Sequence, residues 1–443
     1  MIASELFRTH TLARHLHGEA ITRILAAAIH AVEPQSAVRN FVQRYGQTLL
    51  INRREYHLDK GGRIFLLGLG KASHAMALPL VDLLADHSPR GLLIPKHTPT
   101  QPLSGFDIQP GGHPVPDENS LRAGEKAMQM ISGLTEKDLL ICLISGGGSS
   151  LMSAPHVGIS LSDLRELTSS LLACGARIDE INTLRRHLDQ VKGGGLAKLA
   201  FPARVVSLIL SDVVNSPLEA IASGPTAPDP STRANALAVL EKYRLLEKTP
   251  AAILKALETA PETPKLANGL FERVQNVIVG SNLLAAQSAL EQAKVEGFHP
   301  QLLGNDWQGE ACEVGKNLSN ILKSATIPRP FCLVAGGETT VTLRGHGRGG
   351  RNQELALAAV RQLAGLDNAL FVTLATDGED GPTDAAGAVV TGDTLQRGLD
   401  IGLSPENFLD NNDAYSYFTN LNDLLKPGPT GTNVNDLTLC FGV

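Results

Sequence analysis

The chain has 443 residues, of which 43% are hydrophobic and 19% charged, so it belongs with folded globular proteins of two or three domains and not with disordered chains. A formal charge of −6, from 39 basic and 45 acidic residues, comes without any basic tail or cluster, which argues against nucleic acid as a partner but leaves room for a small anion. Cys142, Cys174, Cys312, Cys332 and Cys440 show no CxxC spacing, the start has no secretory pattern, and apolar runs are only strand-length. A cytoplasmic protein with reduced thiols and no membrane contact is therefore expected.

From about Leu16 to Val32 the spacing predicts an amphipathic helix that ends near Pro34. Ile64–Leu67 reads as an apolar strand closing on glycines before a helical segment, the strand–turn–helix opening of an α/β fold. The pattern recurs at Asp138–Ser145 and at Val205–Leu210. Runs that are apolar throughout suit a parallel sheet covered on both faces, and such sheets place their sites beyond the carboxyl ends of the strands. Helices come next at Ser231–Glu241 and Ala251–Ala260, amid several prolines, and a domain junction here divides the chain into 1–240 and 241–443. The second α/β unit is expected to run through strand Val277–Val279, helices Ser281–Val295 and Gly309–Leu322, and strands Phe331–Ala335 and Thr339–Leu343. Helix Gln353–Leu363, strand Leu370–Ala375, helix Tyr415–Asn420 and strand Asn435–Phe441 complete it.

Gly68-Leu69-Gly70-Lys71-Ala72-Ser73 lies between strand and helix. Gly68 and Gly70 allow close backbone approach, and the amides after them suit an anion. The turn is neither a Walker A loop nor a complete dinucleotide fingerprint. A close-packed turn with Lys71 at the surface is the plain alternative, although a lysine at a helix N-terminus opposes the dipole unless an anion offsets it. Ser145, Gly146, Gly147, Gly148, Ser149 and Ser150 have the composition of a phosphate-cradling nest. A structural turn competes, as does a nucleophilic serine, though no G-x-S-x-G elbow is present. Arg185 and Lys192 are seven apart and share a face if their segment is one helix, where they would meet a carboxylate or phosphate together. A solvated helix face explains the same charges more simply.

Asp212 leaves a strand end, where a carboxylate holds Mg²⁺, takes a proton from a hydroxyl, or caps the next segment. Further on, Gly336-Gly337-Glu338 precedes a glycine loop that delivers Arg348 and Arg351, with Asn352 just before the next helix. An arginine so placed spreads developing charge in a phosphoryl transferase. Asp377, with Asp384 second, is the candidate for Mg²⁺ or a substrate hydroxyl in an acidic, glycine-containing strand-end loop. Nests, cations and strand-end carboxylates together suit phosphoryl transfer, which is mostly positioning and charge stabilisation. They do not name the acceptor.

The motifs GLGKAS, GGHPVPDENS, ISGGGSSLM, NTLRRHLDQVKGGGLA and LSDVVNSPLEAIASGPTAPDPST, then GGETTVTLRGHGRGGRNQE, ATDGEDGPTDAAGAVV, NNDAY and GPTGTNVNDL, cover nearly the whole chain. In them the sequence resembles the class II glycerate 2-kinase family, whose members carry a MOFRL domain. The resemblance implies a Rossmann-like parallel-sheet N-terminal domain, a second α/β domain with a mixed sheet, and an active site in the interdomain cleft. It also implies conversion of D-glycerate and ATP to 2-phosphoglycerate and ADP with Mg²⁺ or another divalent cation. The family's key lysine and arginine fall on Lys71 and Arg351. Asp212 joins them as a candidate catalytic and metal-binding carboxylate. The nucleotide would be held at Gly68, Gly70, the 145–150 loop, Gly337, Glu338 and Asn352, the substrate at Arg185, Lys192 and Arg348, and the metal also at Asp377 and Asp384. No general base is assigned.

Two rivals stand beside this reading. An NAD(P)H-dependent hydroxypyruvate reductase needs an acidic residue about 20 positions after its glycine turn; Asp86 lies 18 after Gly68, but the third glycine is missing. A non-catalytic sugar-acid binding protein would hold glycerate without turnover. Oligomeric state has no sequence signature here, and a homo-oligomer is compatible with the chain.

Overall fold

The computed structural model describes residues 2–58 and 61–443. The chain forms two compact units, one of Ala37–Val279 and one of the residues up to Ser36 with Gly280–Val443. This division differs from 1–240 and 241–443 at both ends of the first unit. The helix Gly18–Val32 packs on the helix Asn282–Val295, with Ser288 Oγ donating to Ala27 O at 3.0 Å and Thr432 Oγ1 to Val32 O at 2.7 Å. The strand expected at Val277–Val279 to open the second unit instead forms the edge of the first unit's sheet. Adjacency in sequence points to the other partner, and adjacency in space overrides it.

The unit Ala37–Val279 begins with a small antiparallel sheet of β1 (Val42–Tyr45), β2 (Thr48–Ile51) and β3 (Arg54–His57). Its main sheet holds β4 (Ile64–Leu69), β5 (Arg90–Ile94), β6 (Phe106–Ile108), β7 (Leu139–Ile144), β8 (Arg204–Leu210) and β9 (Val274–Gly280), in the order β6-β5-β4-β7-β8-β9. The pairings from β6 through β8 are all parallel. β7 is buried along its whole length, as an unbroken apolar run requires. Leu67, Leu140, Ile144 and Ile209 pack there with Ala123 and Ala127 of the helix Glu118–Ile131. From β4 the chain steps outward to β5 and β6, then returns to the other side of β4 with β7. The topological switch point therefore lies between β4 and β7, where open α/β sheets leave a crevice for ligands. A second apolar cluster, including Leu167, Leu171, Leu184, Leu240 and Leu257, holds the helix Ile178–Leu188 in place.

In the other unit, β10 (His299–Glu310), β11 (Phe331–Thr340), β12 (Ala369–Ala375), β13 (Gly387–Thr391), β14 (Leu424–Leu425) and β15 (Asp436–Gly442) form a mixed sheet, in the order β10-β11-β15-β12-β13-β14. Only β10 and β11 pair in parallel. No separate strand occupies Thr339–Leu343, because β11 continues to Thr340. The antiparallel register places Asp436, at the start of β15, opposite Gly337 on one side and Ala375 on the other. All five cysteines are unpaired. Among the described residues no helix is long and apolar enough to cross a membrane.

Asn282 pins the entry to β15 by donating from Nδ2 to the carbonyls of Val434 (3.0 Å) and Asp436 (2.8 Å). Both carbonyls lose a buried partner in Asn282→Ala, and an unsatisfied buried polar group costs roughly 1–3 kcal/mol. The variant is expected to unfold at a lower urea concentration, with a loss of about 2 kcal/mol or more; an unchanged midpoint would contradict this role.

Candidate functional site

The loops after β4, β7 and β8 interlock. Lys71 N donates to Gly146 O at 3.0 Å, Ala72 N to Ser145 Oγ at 3.0 Å, and Ser145 N to Leu69 O at 2.9 Å. Gly70, at φ +123°, presses on Ser145 so closely that a side chain would collide with its Oγ and carbonyl. A side chain on Gly146 would likewise collide with the carboxylate of Asp212. Glycine at position 70 is thus a requirement of packing, whereas at 146 it leaves room for the Asp212 carboxylate. The Lys71 side chain is exposed. Beyond Asp212 the loop holds Asn215, Ser216, Ala222 and Ser223 at φ values of +48° to +61°. Such backbone strain in non-glycine residues gathers at functional sites. Ser223 is tied to the nest through Ser149, Oγ to Oγ at 2.7 Å.

Arg185 and Lys192 do not share a helix face, because the helix ends at Leu188 and Asp189 is extended. They meet instead in a pocket that also takes Ser149, Ser153, Val115, Pro116 and Leu164 into its wall. Lys192 Nζ is committed there to Asp189 (2.5 Å) and to Met152 O (3.1 Å). Arg185 has Asn182 Oδ1, at 3.3 Å, as its hydrogen-bond partner, and pairs with no carboxylate among the described residues. Burial pulls its pKa down with no acid to offset the cost. Arg186, by contrast, is structural, buried against Asp229 at 2.8 Å.

In the second unit, the register of β15 brings Arg351, Glu338, Asn352, Asp377, Asp380 and Asp436 into one polar cluster. Arg351 Nε donates to Asp436 Oδ2 at 2.5 Å, Nη2 to Asp436 Oδ1 at 3.4 Å, and Nη1 to Glu338 Oε1 at 2.8 Å. Arg351 is therefore clamped, not free in its glycine loop; these bonds use three of the five guanidinium N–H donors and leave two. Burial works against its charge, but Asp436 and Glu338 more than offset that and its pKa rises. Burial pushes the carboxyl of Asp377 up, while the Glu379 amide and Arg351 pull it down. Asp380 is pushed up to about 7 by burial and then by Asp436; it accepts from Gln353 N at 2.9 Å and from Asn352 Nδ2 at 3.4 Å. Arg348 stacks over the ring of Tyr415, 4.5 Å from its centroid. Both oxygens of Asp384 are occupied, by Tyr415 OH at 2.6 Å and Lys426 Nζ at 3.2 Å.

Asp380 and Asp436 escape sequence reasoning, since neither carries a local signal; only antiparallel pairing brings Asp436 beside Arg351. His113, of the GGHPVPDENS segment, escapes it too, yet its Nδ1 lies 3.0 Å from Ser150 Oγ. The spacing that could make Asp86 a ribose ligand is also resolved. In a dinucleotide fold that acid sits at the end of the second strand. β5 ends instead before Pro95 and Lys96, while Asp86 precedes β5 and is ion-paired with Arg44.

A parallel sheet with a glycine-rich loop at its switch point, joined in the chain to a mixed-sheet unit with a clamped arginine, defines a two-unit α/β protein. Residues 20–258 match a family described as a domain of unknown function (DUF4147), and residues 331–436 match the MOFRL family. The D-glycerate 2-kinase of Thermotoga maritima is 40% identical over 94% of this chain and 96% of its own. The glycerate 2-kinase of Pyrococcus horikoshii is 38% identical over 95% and 96%. A crystal structure of a Pyrococcus horikoshii protein covers 96% of this chain and 98% of its own with a TM-score of 0.88 at 37% identity, and that of the Thermotoga maritima glycerate kinase the same shares at 0.86 and 39%. The chain belongs to the glycerate kinase family that carries a MOFRL domain.

The buried acid Asp380 gives a pH signature. With its folded pKa raised to about 7, its contribution to stability is complete below the ordinary carboxylate pKa and is lost as pH rises through 7. Asp380→Asn escapes that loss. The melting temperature of the variant relative to the parent is expected to improve by a few degrees, about 2–4 °C per kcal/mol, between mildly acidic and mildly alkaline buffer. A pH-independent difference would contradict it.

Proposed function

We propose that this protein is an ATP-dependent glycerate 2-kinase, transferring the γ-phosphoryl group of ATP to the 2-hydroxyl of D-glycerate. Two of its similar proteins bear glycerate 2-kinase names over nearly their full length. The observation that carries the reading is the interlock at the switch point: Gly70, Ser145 and Gly146 are packed so that a lysine and a hydroxyl-flanked glycine nest open at one place. Phosphate oxygens suit the amides of Gly146, Gly147 and Gly148, with Gly68 and Gly70 giving close access and Lys71 supplying positive charge. Transfer then needs positioning and charge stabilisation more than covalent chemistry.

Arg185 is assigned to the acceptor carboxylate. It is a mostly buried cation without an acid, in a pocket that shares Ser149 with the nest. A carboxylate ligand supplies what the protein withholds, in the bidentate geometry that guanidinium favours. Lys192 and Asp189 shape the wall of that pocket. Arg351, held by Glu338 and Asp436, keeps two N–H donors suited to a phosphoryl group, with Glu338, Gly337 and Asn352 setting its surroundings.

Mg²⁺ accepts one or two carboxylates and takes its other ligands from phosphate and water. Among the described residues no three His, Cys, Asp or Glu side chains form a ready cage, which fits that mode. Asp212, at the nest, is the carboxylate of its unit that would hold it, and Asp377, whose ionisation burial opposes, is the candidate in the other unit. When bound it would neutralise phosphate charge. Asp384 is left to its contacts with Tyr415 and Lys426, and Arg348 to its stacking on Tyr415.

Purified protein is expected to release ADP from ATP only when D-glycerate and Mg²⁺ are present. Lys71→Ala and Arg351→Ala are each expected to lower kcat by about 100-fold or more with the fold intact, the scale of lost transition-state charge stabilisation. Arg185→Ala should raise the KM for glycerate by about 10–100-fold, the worth of a charged hydrogen bond, with the KM for ATP little changed. Near-parental rates for both Lys71 and Arg351 variants would overturn the site, and glycerate binding without ADP release would favour the binding-protein alternative.

A further inference from the structure

His113 lies in a segment that leaves β6 and runs against the nest. Gln109 N donates to Leu93 O, and Gly111 N to Pro95 O. The ring of His113 then packs against Gly147, about where a side chain on that glycine would meet it at 3.3 Å. Two residues further on, Val115 lines the pocket of Arg185. The imidazole therefore sits on a segment that touches both the phosphate nest and the acceptor pocket.

Ser150 Oγ lies 3.0 Å from His113 Nδ1 and 3.2 Å from Gly147 O. With the hydroxyl hydrogen on that carbonyl, Nδ1 donates to Oγ and Nε2 keeps its lone pair. Nε2 makes no hydrogen bond to any described residue. In that arrangement Ser150 holds the ring at the nest and Nε2 is its proton acceptor.

We infer that His113 Nε2 is the atom that takes the proton from the 2-hydroxyl of the acceptor. The inference rests on the kinase reading and deepens it. The hydroxyl proton passes to Nε2, and the oxygen forms a bond to the γ-phosphorus. The bond from that phosphorus to the bridging oxygen of ADP breaks, its electron pair leaving with ADP, and the imidazolium afterwards returns its proton to water. Burial, and then the nearby cations Lys71 and Lys96, lower the imidazole's pKa from its ordinary value, which favours the neutral form. Of the nearby carboxylates, Asp117 is committed to capping the helix Glu118–Ile131 and Asp212 lies against Gly146. General-base catalysis of this kind contributes about 10²–10⁴-fold.

The test is the pH dependence of kcat with ATP, Mg²⁺ and D-glycerate, for the parent protein and for His113→Asn, whose amide keeps a donor to Ser150 but has no group that titrates. The parent's kcat is expected to fall on the acid side through a single ionisation in the imidazole range. His113→Asn is expected to lose about 100-fold or more in kcat, to keep both KM values within about threefold, and to lose the acid limb; Ser150→Ala should retain that limb at a reduced rate. An acid limb absent from the parent, or surviving in His113→Asn, overturns the inference, as does a His113→Asn kcat close to the parent's. A parent that makes no phosphoglycerate overturns the kinase reading and this inference with it, whereas a turning-over parent beside an unaffected variant overturns this inference alone.

Discussion

At Gly70 the turn after β4 meets the backbone of Ser145 after β7 too closely for any side chain, and at Gly146 the carboxylate of Asp212 after β8 fills the space a side chain would take. That constraint organises the rest. Parallel strands bring three loops side by side, and the reversal of strand order between β4 and β7 leaves their amides without a neighbouring crossover to cover them. Lys71 N and Ala72 N are consumed in tying the turn to Gly146 O and Ser145 Oγ. The backbone of Lys71 is thereby fixed at the end of β4. A longer or less glycine-rich loop would blunt that placement.

The second unit solves a different problem, which is how to keep an arginine rigid without neutralising its usefulness. Antiparallel pairing sets Asp436 between the GGE and ATD loops. Asp436 and Glu338 take up three of the guanidinium donors and leave two. The cost appears in the neighbouring carboxyls, since Asp380 beside Asp436 is pushed up to about 7 by burial and like charge. Preorganised charge that costs stability is a common feature of sites that act on charged groups.

Much of this is legible in the chain because apolar runs closing on glycines mark parallel strands and the loops beyond them. Lys71, the 145–150 nest and Asp212 all stand out that way, and the structure brings those loops together. What local pattern cannot show is partnership across long separations. Asp436 comes about a hundred residues after Gly337 yet pairs with it, and only the register of β15 reveals this. Arg185 and Lys192 read as one helix face because nothing in the charges marks the break at Asp189. The strand Val274–Gly280 reads as part of the wrong sheet because its neighbour in sequence is not its neighbour in space. His113 lies in an irregular segment, where periodicity carries no information.

The most direct measurement is the identity of the product formed from ATP, Mg²⁺ and D-glycerate, monitored by phosphorus NMR. The account predicts ADP and 2-phosphoglycerate in equal amounts. Phosphate found on the 3-hydroxyl, or no phosphorylated acid beside rapid NADH consumption with hydroxypyruvate, would contradict it.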